Sequence, residues 1–168
     1  MIWKKVVLTC FLLIIVCCFL VYNSNHYQAI FNNNKFYAEI YSAPFDVTQK
    51  GATIRIPLKF SYKTRYGIFI KIPDYDPLSY VERTRGFLEY HFLSDGVVLK
   101  SGKTFPSSQW ERLWRDDCSF IGILGFDLPL PGASKDLVLK LTVVEPFNFF
   151  IPFSGDTYCV VKPNASFK

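Results

Sequence analysis

Val6 to Tyr22 is an uninterrupted run of 17 residues without a charge, relieved only by Thr9 and by Cys10, Cys17 and Cys18. As a helix rising ~1.5 Å per residue, the run spans roughly 25 Å, the short end of a membrane crossing. Lys4 and Lys5 precede it and Asn23–Ser24–Asn25–His26 follow it. The two lysines predict an N-terminus on the cytoplasmic side and export of everything after residue 24.

Cleavage of the segment needs small residues at the last and third-last positions. Ser24 as the last residue puts Tyr22 third from the end, and Ala29 puts Tyr27 there. Neither tyrosine is small. A lipoprotein box needs a small residue before the lipidated cysteine, but Cys17 follows Val16 and Cys18 follows Cys17. The reading favoured is an uncleaved anchor through residues 6–22, with cleavage and lipidation as the alternatives. The chain divides into a signal-anchor (1–24), a polar tether (25–35) rich in Asn, and one domain (36–168).

The charge balance follows the same division. Of 19 basic residues, Lys4 and Lys5 belong to the anchor, leaving 17 against 14 acidic, a net +3. That is far from the surplus of a nucleic-acid binder, and no nucleic-acid partner is expected. Half the chain is hydrophobic and 18% is aromatic, ample for one packed core.

Cys118 and Cys159 are the only cysteines of the exported part. In an oxidising compartment they suggest one disulfide, worth about 4 kcal/mol in the chain-entropy model. The alternative is two buried free thiols.

The exported part is written mostly in period two. Ile54, Ile56, Leu58 and Phe60 alternate with Thr53, Arg55, Pro57 and Lys59, and Pro57 marks an edge or a bulge. Tyr66, Ile68, Ile70 and Ile72 form a second strand, expected to pair antiparallel with the first. Leu88, Tyr90 and Phe92 alternate with Glu89 and His91; Ser94–Asp95–Gly96 then predicts a hairpin into Val97–Lys100. Glycines 122 and 125 suggest a bulge in Cys118–Leu130. Leu137, Leu139, Leu141 and Val143 form a clean strand, and Asp156–Lys162 the last. A weak first strand is expected at Phe36–Tyr41. One helix is expected from Ser108: Ser108 and Glu111 have capping-box spacing, and Trp110, Leu113 and Trp114 fall on one helical face. Residues 78–85 suggest one or two further helical turns. The sum is a mainly β chain, an antiparallel immunoglobulin-like β-sandwich with one or two short helices, preceded by a transmembrane helix.

Catalytic chemistry is not evident. His91 sits with Glu89 on the polar side of its strand, and no Gly-x-Ser-x-Gly elbow exists. Asp74 and Asp76 lack the remaining spacing of a calcium loop, and Asp116–Asp117 reads as a polar junction. Arg83, Arg85, Arg112 and Arg115 interleave with Glu82 and Glu111, which suits local ion pairs. No cofactor, metal or small-molecule substrate is implied. The unusual feature is Phe147, Phe149, Phe150 and Phe153 in seven residues, either core filling or an exposed contact site. With Trp110 and Trp114 these are the partner-binding candidates, since interface hot spots favour aromatics.

Pro44–Phe45–Asp46–Val47 through Ile72, Tyr80–Gly86 and Gly125–Glu145 resemble bacterial envelope proteins with an N-terminal anchor or lipoprotein signal and one β-sandwich. The resemblance implies an inner-membrane, single-pass protein with its C-terminal domain in the periplasm and no catalytic residues. It also implies an immunity role towards a secreted antibacterial effector. The alternative is a structural subunit of an envelope or secretion assembly.

Overall fold

The computed structural model describes residues 2–73, 85–115, 118–134 and 136–164. The segment 78–84, the pair Asp74 and Asp76, Arg83, and Asp116–Asp117 lie outside them. The chain forms two compact units, Met1–Ala38 and Glu39–Lys168.

In the first unit, α1 runs Ile2–Tyr22, α2 Asn25–Phe31 and α3 Asn33–Phe36. The Asn-rich stretch 25–35 is therefore largely helical. Side chains explain it, because they satisfy the carbonyls that α1 leaves at its end. Asn23 Nδ2 donates to Phe19 O (2.8 Å), Ser24 Oγ to Val21 O (2.7 Å) and Gln28 Nε2 to Tyr22 O (2.6 Å). Ser24 also caps α2 by accepting from the Tyr27 amide at 3.2 Å. Tyr27 then packs on Tyr22 and Phe31, ring centroids 5.2 and 4.6 Å away.

From Val6 onward helix α1 is apolar on every side. Phe11, Leu12, Leu13 and Ile14 are consecutive, point in four directions, and are 54–60% exposed. Among the described residues no single helix is long and apolar enough to cross a membrane. Thr9–Tyr22 and Asn25–Phe31 reach that length only as a pair bent by 66°.

The second unit holds nine described strands: β1 Tyr41–Pro44, β2 Thr53–Pro57, β3 Arg65–Pro73, β4 Phe87–Ser94, β5 Val97–Lys103, β6 Glu111–Arg115, β7 Cys118–Asp127, β8 Leu137–Glu145 and β9 Tyr158–Pro163. They form two antiparallel sheets, β1-β9-β3-β7-β6 and β2-β8-β4-β5. The pairing is nested: β4 with β5, β3 with β7, β2 with β8, β1 with β9. One long hairpin thus wraps around a core, alternate pairs going to alternate sheets. That connectivity, with β6 added at an edge, is a jelly roll. The expected immunoglobulin-like order is not the one adopted.

The inward rows match the period-two patterns. Tyr66, Ile68, Ile70 and Ile72 of β3, Leu88 and Phe92 of β4, and Leu139 and Leu141 of β8 are all fully buried in one cluster between the sheets. The rings of Phe92 and Phe126, one from each sheet, lie 4.9 Å apart. Pro57 indeed ends an edge strand. A bulge in β7 opposite Ile68 and Phe69 falls beside Gly122.

Three local expectations are overturned. The first strand is Tyr41–Pro44 rather than Phe36–Tyr41, where Phe36 ends a helix. β2 and β3 do not pair; the Leu58–Thr64 corner carries the chain from one sheet to the other, where β3 meets β7 and β9. The helix expected from Ser108 is a 3-10 turn, Ser107–Gln109, followed by β6. A helix of about two turns is marginal alone, whereas β6 gains the open edge of β7 from Glu111↔Gly122 to Arg115↔Cys118. Trp110 and Leu113 then part company. Trp110 enters the inner core, and Leu113 packs on the opposite face of the sheet with Phe69 and Phe120.

Candidate functional site

The aromatic candidates are mostly core. Trp110 is 8% exposed, and its Nε1–H donates to Phe105 O at 2.9 Å. Its ring meets Phe147 at 5.1 Å and Phe150 at 6.1 Å, both fully buried. The 3-10 turn Asn148–Phe153 folds these rings inward, anchored where the Phe147 amide donates to Val47 O (3.1 Å). Phe149 and Phe153 are half-buried against the same cluster. Burial between the sheets leaves Trp110, Phe147 and Phe150 no face for a partner. Of the large apolar side chains in this turn, Ile151 is the exposed one. Trp114 lies in β6 opposite Ser119, and its side chain is outside the description.

Cys118 and Cys159 are free thiols, which corrects the expected disulfide. They flank β3 on opposite sides, Cys118 level with Pro73 and Cys159 level with Ile70. Two strand spacings and three residues put their Cα atoms roughly 14 Å apart, about twice the reach of a disulfide. They also face opposite sides of the sheet, Cys159 the inner core and Cys118 the Phe69–Phe120 cluster. Burial pushes the Cys159 thiol up to about 12, so it remains protonated and unreactive.

Among the described residues no group of three His, Cys, Asp or Glu could hold a metal. A cleft of about 540 Å³ opens at one end of the sandwich, lined by Leu58, Lys59, Phe60, Ser61, Pro129, Ala133 and Ser134. Its polar side chains are Lys59, Ser61 and Ser134. Asp46 lies in a hydroxyl cage: Thr48 Oγ donates to it at 2.6 Å, the Thr48 amide at 2.9 Å, and Ser154 Oγ at 3.1 Å. The Thr48 hydroxyl foremost holds its pKa below the ordinary 3.8, against partial burial. The cage joins the β1–β2 loop to the aromatic turn and is structural.

The outward face of β2-β8-β4-β5 carries a charge pattern the strands do not reveal separately. Register aligns Arg55 with Lys140 and Lys140 with His91 across three neighbouring strands, and Ser101 of β5 completes the row. One row away stand Thr53, Thr142, Glu89 and Lys103, with the Thr53 and Thr142 hydroxyls 3.2 Å apart. On the other side stand Pro57, Val138, Leu93 and Val98. Lys103 Nζ sits over the Phe87 ring at 4.3 Å. Among the described residues no carboxylate pairs with Arg55, Lys140 or His91. The one signal for this row in the sequence is that each residue is the polar member of its alternation. Their juxtaposition depends on pairing.

Comparison with known proteins finds no matching family, no matching curated protein and no matching solved structure. The described class is therefore a two-sheet antiparallel β domain of jelly-roll connectivity with a helical N-terminal unit.

Proposed function

We propose that the chain is a non-enzymatic binding protein of the bacterial envelope. It is held in the inner membrane by residues 6–22, with its β domain in the periplasm. The observation that carries this reading is α1, apolar on all sides from Val6 onward and exposed along its described length. A helix with no polar face is stable only inside a protein core or in a bilayer. Alkaline carbonate extraction tests it: the full chain stays in the membrane pellet with its intact mass. Release into the supernatant, or a mass lacking the first 24 residues, overturns it.

The binding role we assign is that of an immunity protein that neutralises a secreted antibacterial effector through a protein–protein interface. Jelly rolls host many functions, so the fold does not argue for this role. Its support is a core closed between two sheets and, on the outward face of one of them, Arg55 directly opposite Lys140 with no carboxylate paired to either among the described residues. Deleting the gene should sensitise cells to killing by neighbouring kin, and the full chain should rescue them. Unchanged survival sinks the immunity version. Lys100 and Lys103 on the edge strand β5 discourage strand pairing between copies, which favours a binding protein over an assembly subunit.

A further inference from the structure

We infer that the outward face of β2-β8-β4-β5 is the docking surface, and that its occupant is a protein presenting neighbouring carboxylates beside an apolar patch. The inference rests on the binding-protein reading and names the partner's chemistry. Side chains directly opposite on adjacent strands stand ~5 Å apart, and like charges there repel. Arg55 and Lys140 are such a pair, and His91 continues the row on the next strand. The isolated domain therefore carries an electrostatic cost across its sheet that an acidic partner removes. Glu89, one row away, is already opposite Lys103.

The rows either side select the class of partner. A polyanion such as nucleic acid requires cations across the whole face, yet the next row is Pro57, Val138, Leu93 and Val98, with Val98 51% exposed. A lipid surface is met by protruding loops rather than by the flat of a sheet. A cationic row between hydroxyls and aliphatic side chains has the mixed composition of a protein interface. A helix carrying carboxylates at i and i+4 repeats at about 5–6 Å and matches the spacing of the row.

The test uses the full chain in nanodiscs of neutral lipid. The probe is a labelled helical peptide with glutamates at i and i+4 flanked by leucines. Binding is expected to weaken as salt rises and to fall at least about tenfold in Arg55→Glu/Lys140→Glu. Lys50→Glu, in the exposed β1–β2 loop, is expected to bind as the parent does. Lys140→Gln separates binding from folding, because it weakens the peptide without lowering the melting temperature. Equal binding by the parent and the double variant overturns the inference. So does a preference for anionic vesicles over the peptide. Photo-cross-linking of the full chain in its own membrane separates the two readings. A partner captured at positions off this face removes the docking surface and leaves the binding role standing, and absence of any partner together with no peptide binding removes both.

Discussion

Gly86 has φ +139°, and a Cβ placed on it would lie 2.9 Å from Phe147 Cα, inside the aromatic cluster. Gly86→Ala should therefore combine backbone strain with overpacking and cost at least about 2 kcal/mol in urea unfolding. Gly102 is also hemmed in: its Cβ would meet the Tyr90 hydroxyl at 2.7 Å, because that ring covers the strand opposite. Cys159 is expected to resist maleimide in the native protein while Cys118, half-buried, reacts; mass spectrometry of the labelled chain reads this directly. Non-reducing and reducing gels should show the same mobility. Asp46 sets a small acid dependence. Its native pKa lies below 3.8, so its contribution is complete above that pH and is lost as pH falls through the native value. Melting curves between pH 3 and 6 should show this loss, and Asp46→Asn should flatten it.

At the scale of elements, β6 is the instructive case. Ser108 and Glu111 have the spacing of a helix start, and Trp110, Leu113 and Trp114 the spacing of a helix face. Local pattern lost to an available edge, because each residue joined to β7 gains backbone hydrogen bonds that a two-turn helix cannot secure. Ser108→Ala should consequently change stability by less than about 0.5 kcal/mol, whereas a true N-cap would lose about 1 kcal/mol. Trp110→Phe should cost about 1–3 kcal/mol, since it opens space against Phe147 and Phe150 and leaves Phe105 O without the indole donor. The β4–β5 hairpin went the other way, its local chemistry agreeing with the global fold. Asp95 (φ 51°) and Gly96 (φ 81°) supply the two left-handed residues of a type I′ turn. A Cβ at Gly96 meets nothing within 4 Å, so Gly96→Ala isolates the backbone cost, about 1 kcal/mol by thermal or urea unfolding.

At the scale of the molecule, the buried cluster runs from Phe45 to Val161 and lies wholly within Glu39–Lys168. Residues 39–168 should accordingly fold alone with one cooperative transition, checked by coincident near- and far-UV circular dichroism. Phe92→Ala, at the meeting of the two sheets beside Phe126, should lower that transition by about 3–5 kcal/mol. The nested pairing brings Tyr41 beside Val161, 120 positions on, a long-range contact whose loop-closure entropy slows folding.

Alternation alone determined which side of β3, β4 and β8 is buried, because a strand's side-chain period is two whatever its neighbours. Hairpin chemistry at Asp95–Gly96 determined one pairing, because the turn is short enough to leave no alternative. Which other strands meet was decided by tertiary structure, since many registers bury the same aliphatic rows and only one closes both sheets. That choice separated β2 from β3 and turned Trp110 inward. It also set Cys118 and Cys159 on opposite faces and drew Arg55, Lys140 and His91 into one row from positions far apart along the chain.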